Sequence, residues 1–283
     1  GTDWLGEPKI KVWLQDSSVR ENGRWVKGPS LPYPLAYSIY AYGENGFYIA
    51  GGLNKSEPMD VCKLSSDEDI YVARKVYRLT VKLDGQFHSE ELPILPVPLV
   101  AGAGCILNGI FYVVCGFDSN GLSSRLFALD TNSASAQWRE CSPLPGEPRV
   151  FPAIVSSGSR LYILGGVASF NPLRCLSDIY VYDSLNDSWA YHADLPWRGY
   201  GWSASAVDDT HILLAGHADS KGVYSNVFLI SLRDMSVCEV GSLISPATTA
   251  PLIKVDENQW WLVGGEPDFN KNRTRTISSI QLR

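Results

Sequence analysis

The sequence predicts an all-β chain built from one repeated sheet, and three observations carry that reading. An aromatic or aliphatic run ending at glycine recurs as FYIAGG (47–52), FYVVCG (111–116), LYILGG (161–166), HILLAG (211–216) and WWLVGG (260–265). The closing glycines, at 52, 116, 166, 216 and 265, are spaced 64, 50, 50 and 49 residues apart, which is the signature of a repeat architecture. Composition agrees: 25 Gly, 9 Trp and 14 Tyr stand against 2 Met, whereas long helices favour Ala, Leu, Glu, Lys and Met. With 45% hydrophobic residues in a chain of 283, there is enough apolar material for a large core, which excludes a disordered or fibrous chain.

Each repeat reads as four strands. A small-residue-rich strand precedes each glycine-ended one (AYSIYAY, AGAGCIL, PAIVSSG, WSASAVD, APLIKV), and its small side chains suit close packing near a propeller axis. An alternating strand follows (VYRLTV, RLFALD, IYVYDS, NVFLIS, ISSIQL). The fourth strand carries a large residue ahead of a Leu-Pro turn, namely Trp25, Trp138 and Trp189, with Phe87 in one copy and only Val237-Cys238 in another. A period near 50 with this pattern predicts a kelch-type β-propeller, one domain over residues 1–283. Residues 10–28 supply two outer strands with no inner pair, and the last copy reaches Arg283 without a fourth strand. The expectation is a six-bladed parent with five complete blades and one incomplete blade at the N-terminus. Five blades closed by the N-terminal strand is the alternative.

Charge and motifs exclude several functions. Twenty-four Lys and Arg against thirty Asp and Glu give a net charge of −6, so no general attraction to nucleic acid or anionic membrane is expected. No long apolar run predicts membrane insertion, and Gly1-Thr2-Asp3-Trp4 has neither region of a signal peptide, so the chain reads as cytosolic or already processed. The six cysteines are expected as free, buried thiols, since at least Cys105 and Cys115 lie in apolar strand runs. No CxxC or Cys/His cluster predicts a metal, and no GxSxG, phosphate loop or HExxH is present. The acidic run from Ser65 to Asp69, inside the longest insertion, lacks EF-hand spacing and reads as a solvated loop. No residue pattern specifies an oligomeric state.

The connections that follow the glycine pairs and the Leu-Pro turns should share one rim, the expected ligand face. Read along the repeats, the residue after the glycine pair is Leu53, Phe117, Val167, His217 and Glu266. Glu266 stands out, because a carboxylate beside the axis must be solvated, paired or functional. Its loop carries Lys271, Arg273 and Arg275, which could satisfy it locally. Arg149 and Arg198 follow Leu-Pro turns. They are read either as structural or, with Arg273 and Arg275, as a positive pocket for a carboxylate ligand. His217 is read as a rim or substrate-binding residue. Tyr37, Phe170, Trp197, Tyr200 and Trp202 fall in or beside these loops, as sugar-stacking faces or as packing.

The segments LPVPLVAGAGCILNGIFYVVCG, WRECSPLPGEPRVFPAIVSSGSRLYILGG and DIYVYDSLNDSWAYHADLPW, with LVGGEPDFNKNRTRTISSIQL near the end, resemble the bacterial N-acetylneuraminate epimerases, kelch-type sialic acid mutarotases. Residues 24–83 resemble that family's last blade and residues 92 onward its beginning, the order of a cyclically permuted branch. The resemblance implies interconversion of the α and β anomers of N-acetylneuraminate or a related acidic sugar, without a metal or other cofactor, in the periplasm, with the cytoplasm as alternative. It implies Glu266 and Arg275 as the catalytic pair, with Arg273 as the alternative arginine. Arg273, Arg149, Arg198 and His217 complete the expected substrate-binding set. A non-catalytic propeller binding a glycan or protein partner through the same rim is the competing expectation.

Overall fold

The structure is a computed structural model that describes residues 14–21, 24–54, 61–63, 71–81 and 87–282. Regular structure among these residues is entirely β, and no helix is present that could cross a membrane. The chain divides into two compact units, Lys11–Cys141 and Ser142–Arg283.

The unit Lys11–Cys141 holds two four-stranded blades. The first runs Ile39–Gly43, Gly46–Ala50, Val76–Val81, Phe87–Leu92, and the second Ala103–Leu107, Ile110–Asp118, Gly121–Asp130, Arg139–Cys141. All neighbours are antiparallel. Asn108-Gly109 joins the first two strands of the second blade with both residues at positive φ, the geometry of a two-residue hairpin loop. Tyr48, Phe111 and Phe127 fill the core between the blades, and Trp138 donates its indole N–H to the Pro93 carbonyl at 2.7 Å. Residues Leu14–Glu21 and Arg24–Leu35 form an antiparallel hairpin, while residues 10–13 of the expected first strand lie outside the described residues. The long insertion of the first repeat builds a three-stranded sheet from Leu53–Asn54, Val61–Lys63 and Tyr71–Ala73, more structure than a loop reading predicts. The acidic run within it lies outside the described residues.

The unit Ser142–Arg283 holds three blades. The third is Ala153–Ser157, Arg160–Phe170, Leu173–Asp183, Ser188–Gly199, and the fourth Ser203–Ala206, His211–Ala218, Val223–Ser231, Val237–Ser242. Among the described residues the fifth shows three strands, Leu252–Asp256, Gln259–Val263 and Ile277–Gln281. Trp197 packs on Phe228 at 4.3 Å between centroids, so one of the aromatics proposed for the rim is core. Trp260 is fully buried, and its N–H donates to Ser205 Oγ at 3.0 Å, from the fifth blade to the fourth.

One backbone device recurs in every blade. A single pair joins the chain entering the blade to the residue beyond the glycines, namely Ala36 with Leu53, Val100 with Phe117, Val150 with Val167, Tyr200 with Ala218, and Thr248 with Glu266. The residue after the entering partner is left-handed each time: Tyr37, Ala101, Phe151, Gly201 and Thr249, with φ between 51° and 63°. Its N–H donates to the same position of the preceding blade: Ala101 to the Tyr37 carbonyl, Gly201 to Phe151 and Thr249 to Gly201, at 3.0, 3.0 and 2.9 Å. Four of the five are not glycine, so each holds a conformation that costs of order 1 kcal/mol or more, sustained by that bond and the bridge beside it.

Candidate functional site

The recurrent pairing corrects the alignment of the repeats. The second glycine of the pair faces Ser123 in the second blade (Gly116) and Leu176 in the third (Gly166), after the same irregularity in register. In the fourth blade the residue facing Tyr224 after that irregularity is His217, and Gly216, with φ of 55°, takes the place of Cys115 and Gly165, with φ of 60° and 57°. His217 therefore occupies the second-glycine position, not the one after it. The position after the pair reads Leu53, Phe117, Val167, Ala218 and Glu266. Four blades place an apolar side chain there and the fifth places a carboxylate.

That carboxylate is buried, at 6% exposure, and Arg273 meets it, Nη1 to Oε1 at 2.7 Å. Gly265 ahead of it has a φ of 100°, and a Cβ there would lie 2.9 Å from Ala250 Cβ and 3.0 Å from the Thr248 carbonyl. Glycine thus lets the chain turn closely past the entering strand and delivers Glu266 next to Thr248. The loop after it is ordered by Asp268, which accepts the Asn270 N–H at 2.8 Å, and by the Thr274 N–H donating to the Gly265 carbonyl at 3.0 Å. Arg273 is brought back over Glu266 by this closure. Arg275, two residues further, is exposed. A half-exposed arginine on a buried carboxylate neutralises a charge that would otherwise be costly.

The other expected residues divide. Arg149 is wholly buried and its guanidinium is committed within the third blade. Nε donates to the Glu147 carbonyl at 2.9 Å, Nη1 to the Gly165 carbonyl at 3.1 Å, and the Nη1/Nη2 fork grips both oxygens of Asp178. With no exposed surface it cannot reach a ligand, so the substrate-binding expectation for Arg149 gives way to its structural reading. Arg198 is exposed and donates to the Cys175 carbonyl at 3.3 Å.

His217 is buried and sandwiched: the Trp202 ring lies 3.7 Å away at 8°, and the Tyr224 ring 4.5 Å away at 16° on the other face. Burial pushes its pKa down to about 4, against the opposing pull of Asp219, so the ring is neutral. Among the described residues neither His217 Nδ1 nor Trp202 Nε1 has a hydrogen-bond partner. The absent Cβ of Gly199 leaves the room they occupy, since it would sit 2.8 Å from His217 Cδ2 and 3.0 Å from Trp202 Nε1. His217 and Trp202 are therefore a packed stack in the fourth blade rather than open ligand contacts.

Asp219 and Cys175 were not singled out in the sequence, whereas Tyr200 was read there as a stacking or packing aromatic. Burial works against ionisation of Asp219, but the N–H groups of Lys221 and Gly222, the Tyr224 hydroxyl and His217 hold its carboxyl below the usual range. Burial lifts the Cys175 thiol to about 11, with Asp219 raising and Arg198 lowering it. Tyr200 is lifted to about 12 by burial first, then by Cys175, Glu266 and Asp219. The Asp219-x-Lys221-Gly222 turn was the available signal, since aspartate two residues before such N–H groups is a turn former. Among the described residues no group of three or more His, Cys, Asp and Glu is placed to hold a metal.

The blades define a β-propeller. The solved structure titled "Structure of YjhT" superposes over 92% of this chain and 85% of that one with a TM-score of 0.73 at 15% identity, a likeness of fold. Residues 92–236 match the family model for N-acetylneuraminate epimerase, and the chain belongs to that family. An N-acetylneuraminate epimerase of Yersinia enterocolitica is 33% identical over 146 residues, 50% of this chain and 36% of that protein. One of Salmonella typhi is 28% identical over 155 residues, 53% of this chain and 38% of that protein. The match thus spans little more than a third of these relatives' length, and the family model ends before Glu266 and Arg273.

Proposed function

We propose that the protein interconverts the α and β anomers of N-acetylneuraminate or a related acidic sugar, with Glu266 as the base and an arginine of its loop holding the sugar carboxylate. The observation that carries this reading is a buried carboxylate with one facing arginine at a position that four other blades fill with apolar residues. Ring opening requires removal of the anomeric hydroxyl proton, which a carboxylate accepts, and a cation near the sugar acid. What supports Arg273 over Arg275 in the second role is its 2.7 Å contact with Glu266. Arg198, exposed at the end of the third blade of the same unit, is a further candidate for the sugar acid. No metal or organic cofactor enters the proposal.

Sialic acid released freshly as one anomer reports the reaction by NMR. Equilibration should accelerate in proportion to protein concentration, and Glu266→Gln should abolish most of the acceleration while the fold is kept, because the amide is nearly isosteric but cannot take a proton. An unchanged rate with wild-type protein would reject the reading in favour of a glycan- or protein-binding propeller. Membership of the family supports the sialic acid assignment, and the same family resemblance motivates a periplasmic location. A basic and then apolar leader encoded upstream would be its test. We read the hairpin Leu14–Glu21 with Arg24–Leu35 as the outer strands of an incomplete sixth blade of the parent fold.

A further inference from the structure

Glu266 is held along one side by the segment Thr248–Ala250. Thr248 exchanges two main-chain hydrogen bonds with Glu266, both at 3.0 Å. Gly265 runs so close to the same segment that a Cβ there would meet Ala250 Cβ at 2.9 Å. The segment is in turn tied to the fourth blade at three successive residues. Thr248 Oγ1 directs its proton between the carbonyls of Gly201, at 3.2 Å, and Tyr200, at 3.4 Å. The Thr249 N–H donates to the Gly201 carbonyl at 2.9 Å. Ser203 Oγ donates to the Ala250 carbonyl at 2.6 Å. Thr248 and Ser203 are both buried.

The middle tie is the main-chain joint described above, whereas the two hydroxyl ties that flank it rest on side chains particular to this place. The position of Thr248 holds Ala36, Val100, Val150 and Tyr200 in the first four blades. The first three of these carry no hydroxyl, and Tyr200 leans its ring on Phe151 instead, 6.1 Å between centroids. Ser203 opens the first strand of its blade, where the first three blades open on Ile39, Ala103 and Ala153. The two hydroxyls thus come together at the step from the fourth blade to the fifth, the blade that bears Glu266.

Resting on the mutarotase reading above, we propose that Thr248 and Ser203 are positioning residues for the base. A carboxylate that takes the anomeric proton must lie within hydrogen-bond reach of that hydroxyl, and a misplacement of about 1 Å can cost about 100-fold in rate. Glu266 inherits its place from Thr248, because two main chains paired by reciprocal hydrogen bonds move together. Thr248 Oγ1 and Ser203 Oγ fix the supporting chain on both sides of Thr249, and so set where the carboxylate stands. Without them the joint from Thr249 to Gly201 still fastens the blade, so their loss falls on the placement of Glu266 before it falls on the fold.

Thr248→Val keeps the shape of the side chain and removes its hydroxyl. The expected result is a fall in kcat for anomer equilibration of about 10- to 100-fold with KM changed less than about threefold. Thr248→Ser, which restores the hydroxyl, should recover kcat to within about threefold, and Ser203→Ala should lower kcat in the same sense as Thr248→Val. Ser157 supplies the control, since its Oγ donates to the Asp208 carbonyl at 3.1 Å and ties the third blade to the fourth at the far ends of their first strands. Ser157→Ala should leave kcat unchanged, whereas a merely structural effect of losing a buried hydroxyl would move both serine variants alike. Hydrogen exchange of the Glu266 amide, followed by NMR, should quicken about tenfold or more in Thr248→Val. If wild-type protein is active and Glu266→Gln is not, but Thr248→Val and Ser203→Ala keep full kcat, or Thr248→Ser is as slow as Thr248→Val, the positioning role is overturned and the base assignment stands. If wild-type protein has no activity, both fall.

Discussion

Arg149, with no exposed surface, grips both carboxylate oxygens of Asp178 across the third blade, 29 residues on in sequence. Removing one member of a buried charge pair leaves the other without its counter-ion. Arg149→Ala should therefore cost about 3 to 5 kcal/mol of stability. Urea denaturation measures it as a lower midpoint. A loss under about 1 kcal/mol would mean the pair is not a structural element.

The stack on His217 has a pH signature. Its folded pKa of about 4 lies below the ordinary 6.5, so the unfolded chain binds more protons between these values. The stabilising effect is present above pH 6.5 and lost as pH falls toward 4, by at most about 3 kcal/mol. His217→Phe should keep the contact with Trp202 and Tyr224 and flatten the curve in that window. Asp219, whose carboxyl is held low, loses its share only at more acidic pH. An unaltered curve in the variant would assign the acid sensitivity elsewhere.

The two arginines of the Glu266 loop separate kinetically. Arg273→Ala should raise KM for the acidic sugar about 10- to 100-fold, the worth of a charge-assisted hydrogen bond of about 1.5 to 3 kcal/mol. Arg275→Ala should change it less than about threefold. The reverse order, read from initial rates by NMR, would restore Arg275 to the sugar carboxylate.

Cys105, Cys115, Cys141, Cys175 and Cys238 stand as thiols. Denatured, unreduced protein should yield at least five titratable thiols. In the folded protein Cys238, which is exposed, should react before buried Cys115, Cys141 and Cys175, the last further slowed by a pKa of about 11. Alkylation mapped by mass spectrometry checks the order.

The strands and their period were legible because glycine at 52, 116, 166 and 265 is demanded locally by φ near 100° and by close backbone neighbours. In HILLAG the single glycine, 216, could be aligned on either place of the pair, and His217 was assigned one step too far. Glu266 was visible as a carboxylate among apolar counterparts. The role of Arg149 was not, because Asp178 reaches it only once strands are paired. Arg273 and Arg275 look alike in sequence, and only loop closure through Asp268 and Thr274 brings Arg273 onto Glu266.

The joints from Tyr37 to Ala101, Phe151 to Gly201 and Gly201 to Thr249 are made by main-chain atoms alone. The identity of the residue at a joint is therefore uncoupled from the joint itself, which explains why Tyr, Ala, Phe, Gly and Thr all serve there. Lineages can rewrite these side chains one repeat at a time without renegotiating how repeats are fastened. Variation should accordingly concentrate at these five places, while glycines 52, 116, 166 and 265 stay fixed, leaving new specificities within reach of few mutations.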